Sequence, residues 1–113
     1  MAAADLTALA SPLAMQRVTL EATATNAREI QLPSWARSVY IAFQSSVYAD
    51  EAGRVSHEGT DGATLGANYM PVPAGAALTL AINVGRSTGA RSIYVAGSSA
   101  SAYAFVTVMG QEA

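Results

Sequence analysis

The chain has no cysteine, which removes thiolate nucleophiles, disulfides and cysteine-based zinc sites together. It has no lysine either: the six basic residues are all arginine, at positions 17, 28, 37, 54, 86 and 91. Charge of both signs is scarce, at 12% of residues against about 25% in an ordinary globular domain. A GC-rich coding bias would explain arginine in place of lysine better than it would explain the low total. With a net charge of −2 and no basic cluster, little is available to neutralise a phosphate backbone, so nucleic acid is not an expected partner. No run of ~18 apolar residues exists to cross a bilayer as a helix. The opening MAAADLTALASPLAM has neither a basic start nor an unbroken apolar stretch, so neither a membrane anchor nor a signal peptide is expected and the chain is read as made in a cytoplasm.

What is present is a 113-residue sequence that is 51% hydrophobic, enough for one domain with a core of its own. Residues 1–15 stand apart. Leu6, Leu9 and Leu13 have rough helical spacing, but Pro12 interrupts it and the segment is short for a stable helix, so it reads as an N-terminal arm. From residue 16 the period becomes two. Val18 and Leu20 alternate with Thr19 and Glu21, Ile30 and Leu32 with Glu29 and Gln31, and Val39, Ile41 and Phe43 with Ser38, Tyr40 and Gln44. Leu78, Leu80, Ile82 and Val84 form the cleanest such run. Turn signals separate the runs: PSWA at 33–36, PAGA at 73–76, GRSTG at 85–89 and GSSAS at 97–101. Short strands punctuated in this way, with no credible helix, predict an all-β antiparallel sandwich or jelly roll of about seven or eight strands over residues 16–113. IQLPSWARSVYI and YMPVPAGAALTL share an apolar-Pro-x-x-Ala rhythm that suits two equivalent corners of a jelly roll.

Candidate chemistry is thin. GRSTG matches a nucleophile elbow around Ser87, but the only histidine, His57, precedes it, and no strand-to-helix context follows; a turn is the simpler reading. The polar stretch 45–62 gathers Asp50, Glu51, Arg54, His57, Glu58 and Asp61, without the alternation of a calcium loop. It reads as a projecting loop, with Val47, Tyr48 and Val55 flanking a small hairpin. No catalytic residue, metal site or cofactor is expected, and the chain is not read as an enzyme; an enzyme built on this loop is the weakest alternative.

The closing stretch RSIYVAGSSASAYAFVTVM reads as two strands joined in a hairpin. Its second half is apolar on both faces, with Tyr103, Phe105 and Met109 on one side and Ala102, Ala104, Val106 and Val108 on the other. One sandwich covers only one face of such a strand. The scarcity of charge points to a second copy as cover for the other, ahead of the chain's own loop 45–62.

IQLPSWARSVYIAF, PVPAGAALTLAI and the IYVAGSSASA closing stretch resemble small structural proteins of tailed-bacteriophage virions, over roughly residues 16–110. The resemblance implies a non-enzymatic sandwich, often trimeric, of the capsid decoration or cement type, bridging neighbouring capsid subunits in the virion after assembly in the host cytoplasm. Its partners would be itself and the major capsid or another virion protein. The expected interface residues are Leu6, Leu9, Leu13, Trp35, Tyr103, Phe105 and Met109. The alternative is a carbohydrate- or receptor-binding β-sandwich that uses Trp35 and exposed tyrosines as a stacking platform.

Overall fold

Wherever apolar and polar residues alternate, the backbone becomes strand, with every second side chain sent to a shared interior. In the computed structural model, which describes residues 3–10, 13–21, 26–45, 51–63, 65–66, 68–81, 91–99 and 102–110, these strands form two facing sheets with no helix among the described residues. They are β1 (Ala4–Asp5), β2 (Leu13–Thr19), β3 (Arg28–Leu32), β4 (Ala36–Ser45), β5 (Gly53–Ser56), β6 (Met70–Val72), β7 (Ala77–Ala81), β8 (Arg91–Gly97) and β9 (Ala102–Gly110).

One sheet runs β1-β3-β8-β5-β6 and the other β2-β9-β4-β7. All pairings are antiparallel except that of β1 with β3. Apart from the step from β5 to β6, each strand is followed in the chain by one in the opposite sheet. A 2-9-4-7 sheet facing a 3-8-5-6 sheet is the strand order of a jelly roll. The all-β sandwich expected from the sequence is thus the fold, with β1 added along the edge of β3.

The two proline corners are where the chain changes sheets. Ala36 N donates to Pro33 O at 3.1 Å between β3 and β4, and Ala76 N donates to Pro73 O at 3.0 Å between β6 and β7. Gly75 has φ 82°, the left-handed conformation that the third position of a type II turn requires. The core between the sheets draws Ile30, Leu32, Ile93 and Val95 from one side and Val39, Ile41, Val106 and Val108 from the other, all almost fully buried. At about 1.5–3 kcal/mol for each such side chain, this layer is the main force joining the sheets. Close packing shows at Gly53, where a β-carbon would lie 2.5 Å from the Phe43 ring.

Three expectations change. The closing stretch is not a hairpin: β8 lies between β3 and β5, whereas β9 lies between β2 and β4 in the other sheet. The small residues after Gly97 therefore join two layers. The stretch 45–62 is not a projecting loop over its described part, because Gly53–Ser56 is a strand inside the first sheet and Glu51 is buried. Its carboxylate accepts a hydrogen bond from Ser98 Oγ at 2.5 Å. The stretch 1–15 lies partly on its own chain: Ala4 and Asp5 pair with Ile30 and Gln31, Leu6 N donates to Gln31 O, and β2 already begins at Leu13. Ser87 and the rest of GRSTG, Ile82, Val84, Val47, Tyr48 and Asp50 fall outside the described residues.

Candidate interaction surface

The phase of β9 fixes which of its two apolar faces is inward. Ala102, Ala104, Val106 and Val108 are at most 1% exposed, so Tyr103, Phe105, Thr107 and Met109 stand on the outer face of the sheet. The pairing register carries this face across all four strands. Met109 lies opposite Leu13 on β2 and Ser38 on β4, and Thr107 opposite Met15 and Tyr40. Phe105 lies opposite Arg17 and Ala42, with Ala77 of β7 beyond. Tyr103 completes the set opposite Thr19 and Gln44.

Of these outward side chains only Arg17 is charged, and its guanidinium sits 4.7 Å from the centroid of the Tyr103 ring. That contact turns the charge toward an aromatic face. Tyr103 and Phe105 meet edge to face, with ring centroids 6.3 Å apart. Met15 is 70% exposed, Leu13 53%, Tyr40 45% and Phe105 39%. Scattered apolar residues are ordinary on a protein surface; a contiguous patch marks a contact site.

The outer face of the other sheet is built differently. Asp5, Glu29, Gln31, Ser92, Tyr94, Arg54 and Ser56 occupy most of its outward positions, with Ala96 and Pro71 on either side of Arg54, as read from the register. Glu29 Oε2 accepts from Ser92 Oγ at 2.5 Å, and Asp61 Oδ1 accepts from the Glu29 amide at 2.8 Å. Desolvation, aided by the nearby Glu29 and Asp61 charges, raises the pKa of the Tyr94 phenol. The sandwich thus has one wet face and one dry face, and no described segment covers the dry one.

The expected interface residues divide accordingly. Leu13, Tyr103, Phe105 and Met109 come together on the dry face. Leu6 and Trp35 do not: at 4% and 8% exposed they sit in the chain's own core and offer a partner almost no surface. Leu9 is half-buried against that core, and its carbonyl accepts from Trp35 Nε1 at 2.9 Å. A buried Trp35 is also no platform for a sugar ring. Met15, Tyr40 and Ala42 belong to the face although the sequence reading did not pick them out. For Met15 the signal was there, since the alternation of Val18 and Thr19 carried back toward Pro12 assigns it to the outer side.

The polar groups of 45–62 do not converge. His57 is exposed, Glu58 Oε1 faces the Asn68 amide, and Asp61 is held by Glu29. No group of three or more metal-ligating side chains occurs among the described residues. A cavity of about 450 Å3 beside β5 and β6 is walled by Pro71, Val72 and Pro73, with Arg54 and Ser98 as its polar groups. No family model matches the chain, and neither a curated protein nor a solved structure matches it.

Proposed function

We propose that this chain is a non-enzymatic structural subunit that works by burying the dry face of its four-stranded sheet against other protein copies. The observation that carries the reading is the outward set on β2, β9 and β4, in which Leu13, Met15, Tyr40, Phe105 and Met109 stand among uncharged threonine, serine and glutamine side chains, with Arg17 as its one charge. At about 25 cal/mol per Å2, covering several such side chains favours association by several kcal/mol before the cost of ordering is subtracted. Together with the resemblance to tailed-phage virion proteins, this leads to a capsid decoration protein that bridges neighbouring shell subunits. Jelly rolls also serve as lectins and cupins, so the fold alone does not choose among them. The charge-poor face does favour a subunit role.

Light scattering after size exclusion tests the reading. The wild-type chain is expected as an oligomer built on the three copies that the resemblance implies, and Phe105→Asp as a folded, smaller species, because Phe105 points away from the core. A wild-type monomer at high concentration, or a Phe105→Asp protein of unchanged mass, overturns it. Binding to capsid shells that lack a decoration protein tests the virion assignment, with loss on Phe105→Asp expected.

A further inference from the structure

The four-stranded sheet ends at β2, and beyond that strand no described segment runs alongside. The register with β9 shows which backbone groups this leaves over. Leu20 N donates to Ala102 O, so Leu20 and Ala102 form a hydrogen-bonded pair of the antiparallel ladder. Such pairs alternate, which places Val18, Gln16 and Ala14 in the bonded positions and turns the N–H and C=O groups of Thr19, Arg17, Met15 and Leu13 to the open edge. The edge is partly occupied by the chain's own side chains. Arg28 Nη1 donates to Thr19 O at 2.5 Å and Gln16 Nε2 to Arg17 O at 3.3 Å. The main-chain groups of Met15 and Leu13 and the Arg17 N–H have no partner among the described residues.

Exposed edges are normally blunted by short strands, proline or charge. The first sheet follows this rule, ending in a two-residue β1 on one side and in β6 with Pro71 on the other. β2 is the longest of the edge strands, with seven residues, no proline and no glycine, and its single charge, Arg17, is turned onto Tyr103; the far edge of the same sheet, β7, has five residues. An open backbone edge needs a strand as partner, and the side chains of β2 say which. From the two-sided accounting of charge and free groups, we infer that β2 pairs antiparallel with β2 of a second copy about a two-fold axis at Met15, joining two four-stranded sheets into one.

The axis position follows from the same groups. A two-fold contact sets residue i against j and j against i. Centred on Met15, it pairs Met15 with Met15 of the second copy and Arg17 with Leu13, so the Arg17 N–H and the Met15 groups are all used. Only the long Gln16 contact has to yield. Centred on Arg17, it would set two guanidinium groups directly opposite, which is repulsive, and would require the Thr19 carbonyl that Arg28 already holds. The Met15 register also continues the dry face across the seam, since Leu13 and Met15 are its exposed apolar members on this strand. The inference rests on the self-association proposed above and adds to its face contact, which the resemblance makes three-fold, a two-fold contact at the edge, so that the full assembly counts six copies.

A chain with no cysteine lends itself to the test. In the full-length protein, Met15→Cys is expected to form a covalent dimer under mild oxidation, because a cross-axis pair lies within disulfide reach. Thr19→Cys, on the same strand and face but about 27 Å from its symmetry mate in this register, is expected to give no covalent dimer. Met15→Pro, which removes an edge-directed N–H and none from the β9 ladder, is expected to leave a folded protein of halved mass. Equal crosslinking of the two cysteine variants, or an unchanged mass for Met15→Pro, overturns the pairing. If Phe105→Asp dissociates while Met15→Pro does not, self-association through the face stands and the β2 contact falls. A wild-type monomer removes both.

Discussion

Tyr94 shows how a single side chain reports on the wet face. Its phenol lies on the first sheet between Glu29 and Ser56 in register, half-buried, with desolvation as the main cause of its raised pKa and the carboxylates of Glu29 and Asp61 adding to it. A folded pKa above the unfolded value means that the folded state holds the proton more tightly. The stabilisation is complete below the ordinary tyrosine pKa, near 10, and is lost as pH rises through the folded value. Urea midpoints measured across this alkaline range are therefore expected to fall more steeply for the wild type than for Tyr94→Phe. Equal slopes would show that the phenol is not held protonated by this site. Asp5 illustrates the opposite sign, its pKa lowered by hydrogen bonds from the Thr7 hydroxyl and amide.

Among the elements, the two proline corners look alike in sequence and differ in backbone demand. Both close with a bond from alanine N to proline O, but only the second places its third residue, Gly75, at positive φ. Gly75→Ala is expected to cost about 1–2 kcal/mol, read as a lower urea midpoint at unchanged slope. Ala74→Ser, at the neighbouring exposed position, is expected to leave the midpoint in place. These corners were legible in the sequence because proline and glycine act locally, and β3 and β4 on either side of the first were legible because polar residues alternate with apolar ones along them. Strand partnership was not. The period-two pattern of Ile93 and Val95 and that of Val106 and Val108 are the same whether the two segments pair with one another or enter different sheets, and a short linker of small residues suits both. β5 was expected only as part of a projecting hairpin, and its place inside the sheet was missed for a related reason: GRVS is short, and its outward Arg54 and Ser56 give it the composition of a loop. Of the surface, Phe105 and Met109 could be read from the two-faced strand. Leu6 and Trp35 could not be told from surface residues, since their burial depends on where residues 4–9 lie along β3 and beside Trp35.

For the whole molecule, the difference between its two faces predicts how association responds to the solvent. A contact made by Phe105, Met109, Tyr40 and Met15, with Arg17 directed onto Tyr103, has little to lose to ionic screening. Apolar burial is strengthened by kosmotropic salts. An oligomer held by this face is therefore expected to persist in concentrated sodium chloride and to tighten in ammonium sulfate, as read by light scattering. Dissociation in sodium chloride would assign the contact to ion pairs, and hence to the other face, where Asp5, Glu29 and Arg54 lie.

β9 sits between β2 and β4 and is the last strand of the jelly roll to be synthesised. While it is still inside the ribosome, its two neighbours lack the strand that holds them in one sheet, and Phe105, Tyr103 and Met109 have not yet emerged. A nascent chain thus has no finished sticky face to offer to other nascent chains nearby. Any pairing of copies through this face would then wait until the polypeptide has wrapped into its final shape, a timing set by strand order.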